Sequence, residues 1–169
     1  MTTQVPYRPV PVDQSDVRYA HGPDSVVQSG VPAGETIEFD WRDSTTYPGT
    51  SRRFWVHVPA MYDPSEPAAL MVFQDGQWYL DPEGEVRGGI VLDNLIHGGD
   101  IPVVIGVFVD PGVFEDVADA HDRKNRNVEY DAAALAEAGY DFRLVLGDGG
   151  HSPNHGGVLL PDALRWLWR

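Results

Sequence analysis

The sequence predicts an α/β fold in which an N-terminal antiparallel pair of strands is followed by parallel strands with crossover helices. Two observations favour it. Apolar and polar residues alternate in the first two strand-like segments, as in antiparallel sheets that expose one face to water. Two later segments are continuous apolar runs that flank an amphipathic helix, and this order predicts a right-handed parallel crossover.

The predicted antiparallel pair follows a stretch rich in Pro, Gly, Ser and Asp. This stretch, residues 1–35, has no sustained hydrophobic period, so we expect an extended arm there and a single domain over residues 36–169. Apolar and polar side chains alternate in residues 36–41 (TIEFDW) and again in residues 52–60 (RRFWVHVPA). On the second of these strands the alternation predicts that His57 faces outward.

The parallel part begins with residues 68–76 (AALMVFQDG), an apolar run that stops at an Asp-Gly pair. Such a run is typical of a strand that helices cover on both faces. Residues 88–99 (GGIVLDNLIHGG) place apolar side chains four apart and predict a helix with a glycine stop, in which Gly98 occupies the position just after the last helical residue. The second parallel strand is predicted within residues 101–112 (IPVVIGVFVDPG).

The C-terminal third has weaker signals. Residues 113–131 are polar and predict a long surface loop, residues 132–139 predict a short helix, and residues 140–150 predict a further strand. Residues 160–169 (LPDALRWLWR) carry the apolar stripe of a helix, and Pro161 suits its first turn.

Charge and composition exclude several kinds of function. The formal net charge is −14, so we expect neither nucleic acid nor an anionic membrane as a partner. There is no cysteine, which excludes disulfides, thiolate metal sites and a cysteine nucleophile. The first residues lack a signal-peptide pattern and no apolar run is long enough to span a bilayer, which favours a cytoplasmic protein. No motif indicates a cofactor, and none is expected.

Chemistry in an open α/β sheet is expected beyond the carboxyl ends of its strands. One such loop is QDGQWY, where the backbone N–H groups of Gly76 and Gln77, next to Asp75, could form an oxyanion hole. The pattern alone favours the other interpretation, a tight turn that leaves a buried strand.

A second strand-end loop, GDGGHSPNHGG, contains two histidines. His151 suits the role of general base, with Asp148 and Ser152 in the same cleft. His151 and His155 are four residues apart, a spacing that suits two metal ligands only on a helix. The Gly and Pro residues of this stretch argue against a helix, so no metal site is expected. A solvated glycine-rich loop is the other interpretation.

Several segments, taken together and in order, resemble the bacterial esterase family that includes the enterochelin (ferric siderophore) esterases. The resemblance covers nearly all of the chain from about Pro32 onward. It is carried by DSTTYPGTSRRFWVHVPAMYDPSEPAALMVFQDGQWY, VLDNLIHGGDIPVVIGVFVDPG, NRNVEYD and AGYDFRLVLGDGGHSPNHGGVLLPDALRWLWR. The resemblance implies an α/β-hydrolase fold, a Ser–Asp/Glu–His triad and ester hydrolysis. It also implies that His151 corresponds to the catalytic histidine and that the QDG loop contributes to the oxyanion hole.

The chain departs from this family in its centre. No Gly-x-Ser-x-Gly occurs, and NRNVEYD runs directly into AAALAEAGYD at a junction near residues 130–133. The resemblance therefore implies a truncated α/β-hydrolase-like sheet that lacks the strand carrying the nucleophile, and with it the triad acid. A triad histidine without a serine has nothing to activate, so we expect an esterase-type protein that is catalytically impaired or inactive.

Three alternatives stay open. One is an active esterase with an unidentified serine or a His-activated water as nucleophile. Ser152 suits this role poorly because neighbouring residues in a loop, such as Ser152 and His151, rarely turn their side chains toward each other. Neither Ser44 nor Ser51 stands on a strand-to-helix elbow. Another is a non-catalytic module that binds a ligand in the remaining cleft. The last is a deletion product without a selected function. In the first two cases the expected partner is a small-molecule ester or ligand.

Loss of a central strand leaves an apolar strand edge without a partner. One hypothesis is that FRLVLG occupies the place beside LMVFQ, with AAALAEAG as the crossover, which would bring His151 close to Asp75 and Gly76. An edge that stays exposed favours pairing between copies of the chain, and we expect a homo-oligomer in that case.

Overall fold

The computed structural model describes residues 19–45, 47–114 and 153–169, and for residues 153–156 it describes the backbone alone. Within these ranges the elements in chain order are a 3-10 helix at Pro23–Ser25, β1 at Glu35–Trp41, β2 at Thr50–Val58, β3 at Ala69–Gln74, α1 at Gly76–Leu80, α2 at Gly88–Gly98, β4 at Val104–Val109, β5 at Val113–Phe114 and α3 at Pro153–Leu167. No helix in the described part of the chain is long and apolar enough to cross a membrane.

The described strands form one mixed, five-stranded sheet. Its order is β1-β2-β4-β3, and β5 pairs with the start of β2. β1 and β2 are antiparallel, as are β2 and β4, whereas β3 and β4 are parallel and in register from Ala69↔Val104 to Gln74↔Val109. The α/β class is therefore confirmed, with the antiparallel pair and the parallel crossover where the hydrophobic patterns predicted them.

The crossover helix α2 ends through its glycines. Gly99 adopts the left-handed conformation with φ 74°, and its N–H donates to the carbonyl of Ile96. The N–H of Asp100 donates to the carbonyl of Leu95 at 2.9 Å, which completes a Schellman-type cap. The predicted stop at Gly98 is one residue early, because Gly98 is the last helical residue and Gly99 carries the positive φ.

The C-terminal helix α3 begins earlier than its apolar stripe suggested. It starts at Pro153, so Pro161 lies inside the helix and not in its first turn. The expectation that the Gly and Pro residues of this stretch prevent a helix is wrong from Pro153 onward. A proline at the first helical position lacks only an N–H that has no helical partner there, which explains why Pro153 is compatible with the start.

The core lies between the sheet and the helices α2 and α3. Phe73 and Phe108 come from neighbouring parallel strands and stack with ring centroids 4.5 Å apart. The buried apolar side chains of this layer are Trp55, Phe73, Val86, Val91, Leu92, Leu95, Ile96, Ile101, Val104, Phe108, Leu160 and Leu164. The helical stripe at Leu160 and Leu164 is thus buried, whereas Leu167 is 52% exposed.

The opposite face of the sheet stays open in the described part of the chain. Leu70 and Val72 of β3 are 65% and 59% exposed, and all seven residues of β1 are exposed. β3 was expected to be covered on both faces, but the core helices lie on the face that carries Phe73 and Phe108. The segments FRLVLG and AAALAEAG, which were expected to complete the sheet, lie outside the described residues.

Candidate functional site

One cleft lies at the carboxyl ends of the parallel strands. It has a volume of about 390 Å³, and we call it the strand-end cleft. Asp75 follows β3, and Asp110 follows β4, the strand beside it. Parallel strands end at the same edge of a sheet, so the two carboxylates come to line the same cleft. Arg53 and Gln77 line it as well.

The turn from β3 into α1 depends on two backbone features. Asp75 adopts the left-handed conformation with φ 56° and ψ 47°, which is uncommon for a residue other than glycine. Gly76 is buried against β4, where an added Cβ would lie 2.5 Å from the backbone carbon of Phe108. The absence of a Cβ at Gly76 therefore lets this turn pack closely against the β4 backbone.

The predicted oxyanion donor at Gln77 already has an acceptor. Its backbone N–H donates to Oδ1 of Asp110 at 2.9 Å. Arg53 donates through Nη2 to Oε1 of Gln77 at 2.9 Å, and the same nitrogen lies 3.5 Å from Oδ2 of Asp110. A ligand oxygen that used this N–H would have to replace the Asp110 carboxylate.

Tyr79 lies just below this turn, on α1. Its ring packs at 41° to that of Phe73, with centroids 5.4 Å apart. Burial raises the pKa of the Tyr79 phenol above its ordinary value, and the negative charge of Asp75 adds to the rise. The neutral phenol is therefore the form that this surrounding favours.

The His loop lies outside the described residues. His151, Asp148 and Ser152 belong to it, so their role in a cleft with Gly76 and Gln77 stays a prediction. His155 is part of α3, but only its backbone is described.

Two serines considered as replacements are described. Ser44 is buried and accepts the backbone N–H of Tyr47 at 3.0 Å, and Ser51 lines the strand-end cleft. Neither stands on a strand-to-helix turn, so neither is presented like the serine of a nucleophile elbow.

The prediction that His57 faces outward is wrong. His57 is only 3% exposed and lies on the helix-covered face of β2, where it pairs with Gly106 of β4. Its Nε2 lies 3.0 Å from Oδ1 of Asp93 on α2. No local pattern in the sequence could have found this pair, because alternation shows which strand residues share a face but not which face a helix covers.

A second cleft, larger and shallower, opens beside this histidine. Its volume is about 1100 Å³, and we call it the side cleft. Its lining includes Thr36, His57, Asp93, Trp55, Leu80 and Ile90. Gln77 and Trp78 line both clefts, so the first turn of α1 forms the wall between them.

Within the ranges that the structure describes, no group of three or more His, Cys, Asp or Glu side chains could hold a metal ion. The side chains that line the two clefts supply carboxylates, hydroxyls, one buried imidazole and guanidinium groups.

Comparisons with known proteins give weak likenesses. No protein-family model matches the chain, and no curated protein matches it. Among solved structures, a variant of the feruloyl esterase module from Clostridium thermocellum in complex with sinapinate is 18% identical, with a TM-score of 0.44, over 75% of this chain and 44% of that one. A ferulic acid esterase from Anaeromyces mucronatus in complex with ferulic acid is 15% identical, with a TM-score of 0.45, over 69% and 47%. This chain thus spans less than half of either protein, and such likenesses do not assign it to a family.

Proposed function

We propose that this chain is an esterase-type protein without a serine nucleophile, and that its strand-end cleft binds a small ester without serine-dependent turnover. The observation that carries the proposal is the engagement of the Gln77 N–H by Asp110 at 2.9 Å. A hydrolase would keep such a donor free for the developing oxyanion. The absence of Gly-x-Ser-x-Gly from the printed sequence supports the same conclusion.

The cleft has the groups that a neutral carbonyl ligand needs. Arg53 and the Gln77 side chain present N–H donors, while Asp40, Asp75 and Asp110 present acceptors. Because the carboxylates outnumber the two arginines of the lining, Arg52 and Arg53, a neutral ester or its alcohol fits better than an anion. The ligand class follows from the resemblance to esterases together with this donor and acceptor set.

Binding can be tested by titration of the full chain with methyl benzoate. The readout is tryptophan fluorescence, since Trp78 is 61% exposed and lines the cleft. Arg53→Met removes donors inside the cleft and should weaken binding about tenfold, as loss of a charged hydrogen bond does. Arg169→Met is the matched control, because Arg169 packs on Trp166 of α3 and should leave binding unchanged.

Turnover is tested separately with a fluorophosphonate and peptide mapping. The expected result is that no serine of the chain carries the label. A labelled serine would overturn the proposal in favour of an active serine esterase. The case would be strongest if the wild-type chain also released p-nitrophenol from p-nitrophenyl acetate and the His151→Ala variant did not. Absence of saturable binding of methyl benzoate by the folded chain would overturn its binding half.

A further inference from the structure

A hydroxyl, an imidazole and a carboxylate are linked in series beside the side cleft. Oγ1 of Thr36 on β1 lies 2.9 Å from Nδ1 of His57 on β2. Nε2 of His57 lies 3.0 Å from Oδ1 of Asp93 on α2. We call these three residues the Thr36 relay. The imidazole and the carboxylate are nearly buried, at 3% and 10% exposure, while Thr36 lies on an exposed strand.

The hydrogen-bond direction in the relay follows from what each group can donate. The Asp93 carboxylate only accepts, and its Oδ2 accepts the backbone N–H of Gly34 at 2.8 Å. His57 therefore donates through Nε2, and in the neutral imidazole this tautomer has its lone pair on Nδ1. That lone pair accepts the hydroxyl proton of Thr36. This is the order of groups by which a base activates an alcohol nucleophile.

The imidazole is held in place by two glycines. A Cβ on Gly34 would lie 2.8 Å from the ring of His57, so only glycine fits there without a shift. The Cβ position of Gly89 lies 3.4 Å from Cε1 and Nδ1 of the same ring. Together with the bond to Asp93, this packing limits the ring to an orientation in which Nδ1 faces Thr36. A relay that is oriented in advance needs little reorganisation when it reacts.

A structural tie between β1, β2 and α2 would account for the buried His57–Asp93 pair. It does not account for the cleft of about 1100 Å³ that all three relay residues line. Apolar side chains of that cleft, Leu80 and Ile90, offer room for an acyl chain or an aromatic ring.

The charges around the side cleft restrict the compound that would enter it. Glu38, Asp81 and Glu85 line it together with Asp93. These carboxylates repel an anion, so the fitting compound is a neutral or cationic ester of an apolar acid.

We propose that Thr36 accepts an acyl group from such an ester, with His57 as the base and Asp93 as the positioning residue. Oγ1 of Thr36 forms a bond to the carbonyl carbon, and its proton passes to Nδ1 of His57. The ester C–O bond then breaks, and the leaving alcohol takes that proton from Nδ1. The products are an acyl-threonine and a free alcohol. This proposal goes beyond the strand-end cleft, because it uses a threonine hydroxyl in a different cleft.

The experiment uses the full chain, p-nitrophenyl acetate and tandem mass spectrometry. The expected result is one acetyl group on the peptide that contains Thr36. Thr36→Val preserves the side-chain volume and should abolish this adduct, whereas Thr36→Ser should retain it. His57→Gln should slow acetylation about 100-fold, the usual contribution of a general base. Ser65→Ala, in an exposed turn, is the control that should change nothing.

Background acetylation is easy to separate, since Lys124 is the single lysine of the printed sequence. Unfolding curves establish whether each variant is folded. If His57→Gln does not fold, the comparison of Thr36→Val with Thr36→Ser still tests the proposal. A folded wild-type chain without an adduct on Thr36 overturns the proposal. An adduct that forms as fast in His57→Gln overturns it as well. A serine labelled by the fluorophosphonate bears on the strand-end proposal alone.

Discussion

Nε2 of His57 lies 3.0 Å from Oδ1 of Asp93, so a strand and a helix that are 36 residues apart along the chain are joined by one buried polar pair. The same carboxylate also accepts the N–H of Gly34, which leads into β1. Three segments of the fold therefore depend on one aspartate side chain. Loss of this side chain should therefore lower the stability of the fold.

Asp93→Ala should lower the free energy of unfolding by about 3 kcal/mol, because it leaves the N–H groups of the buried His57 and the half-buried Gly34 without this acceptor. Urea unfolding followed by circular dichroism measures the change. Asp63→Ala is the matched control, since Asp63 is an exposed aspartate whose partner is Ser65 in its own turn, and its midpoint should move little. Equal effects of the two substitutions would contradict the assigned role of Asp93.

Gly76→Ala should destabilise the turn between β3 and α1 by about 2 kcal/mol, as overpacking against rigid backbone does. The added methyl would meet the backbone of Phe108 and Val109, which cannot move without breaking the parallel ladder. Gly98→Ala is the control, because nothing lies within 4 Å of the Cβ position there. Thermal unfolding of both variants decides the point, and a Gly76→Ala chain as stable as Gly98→Ala would disprove the contact.

Tyr79→Phe should flatten the loss of stability at high pH. Burial, then Asp75, raises the pKa of Tyr79 in the folded state, so the folded chain binds the phenol proton more tightly than the unfolded chain does. Stability from this proton is present below the unfolded pKa of about 10 and is lost as pH rises through the raised folded value. Urea midpoints from pH 8 to about 11 should therefore fall more steeply in the wild type than in Tyr79→Phe. Parallel curves would contradict the assignment.

Arg165→Gln should loosen the docking of α3. The guanidinium donates to Asp24 at 2.8 Å and to Asp100 at 2.7 and 2.9 Å, and these bonds raise the pKa of Arg165. Because Arg165 is 35% exposed, solvent screening limits the expected loss to about 1 kcal/mol. The loss should shrink in 1 M salt. Arg169→Gln is the control, and a salt-independent difference between the two variants would count against the ion-pair explanation.

Much of the described fold follows from local patterns in the sequence. The alternation in residues 36–41 and 52–60 gave the antiparallel pair, and the apolar runs gave β3 and β4 with α2 between them. These predictions succeed because strand and helix periods are properties of neighbouring residues. The start of α3 at Pro153 was missed, since a stripe in residues 160–169 does not reveal a first turn made of Pro, Asn, His and Gly.

Parts of the candidate sites also follow from local patterns in the sequence, and other parts do not. The sequence placed Asp75, Gly76 and Gln77 at the end of a strand, because a strand-end loop is recognisable where an apolar run stops. The sequence could not reveal that the Gln77 N–H donates to Asp110, because the two residues are 33 positions apart along the chain. The direction of His57 was predicted wrongly for a similar reason. Alternation tells which strand residues share a face, but not which face a helix will cover.

By itself, then, the sequence determined the segments of β1 to β4 and of α2, their α/β order, and the absence of cysteine and of a Gly-x-Ser-x-Gly elbow. Only the tertiary structure decided that α2 packs on the face of β2 that carries His57, and that Asp93 meets it there. The physical reason is that hydrophobic periods are local, whereas the pairing of a buried imidazole with a carboxylate depends on where a crossover helix packs on the sheet.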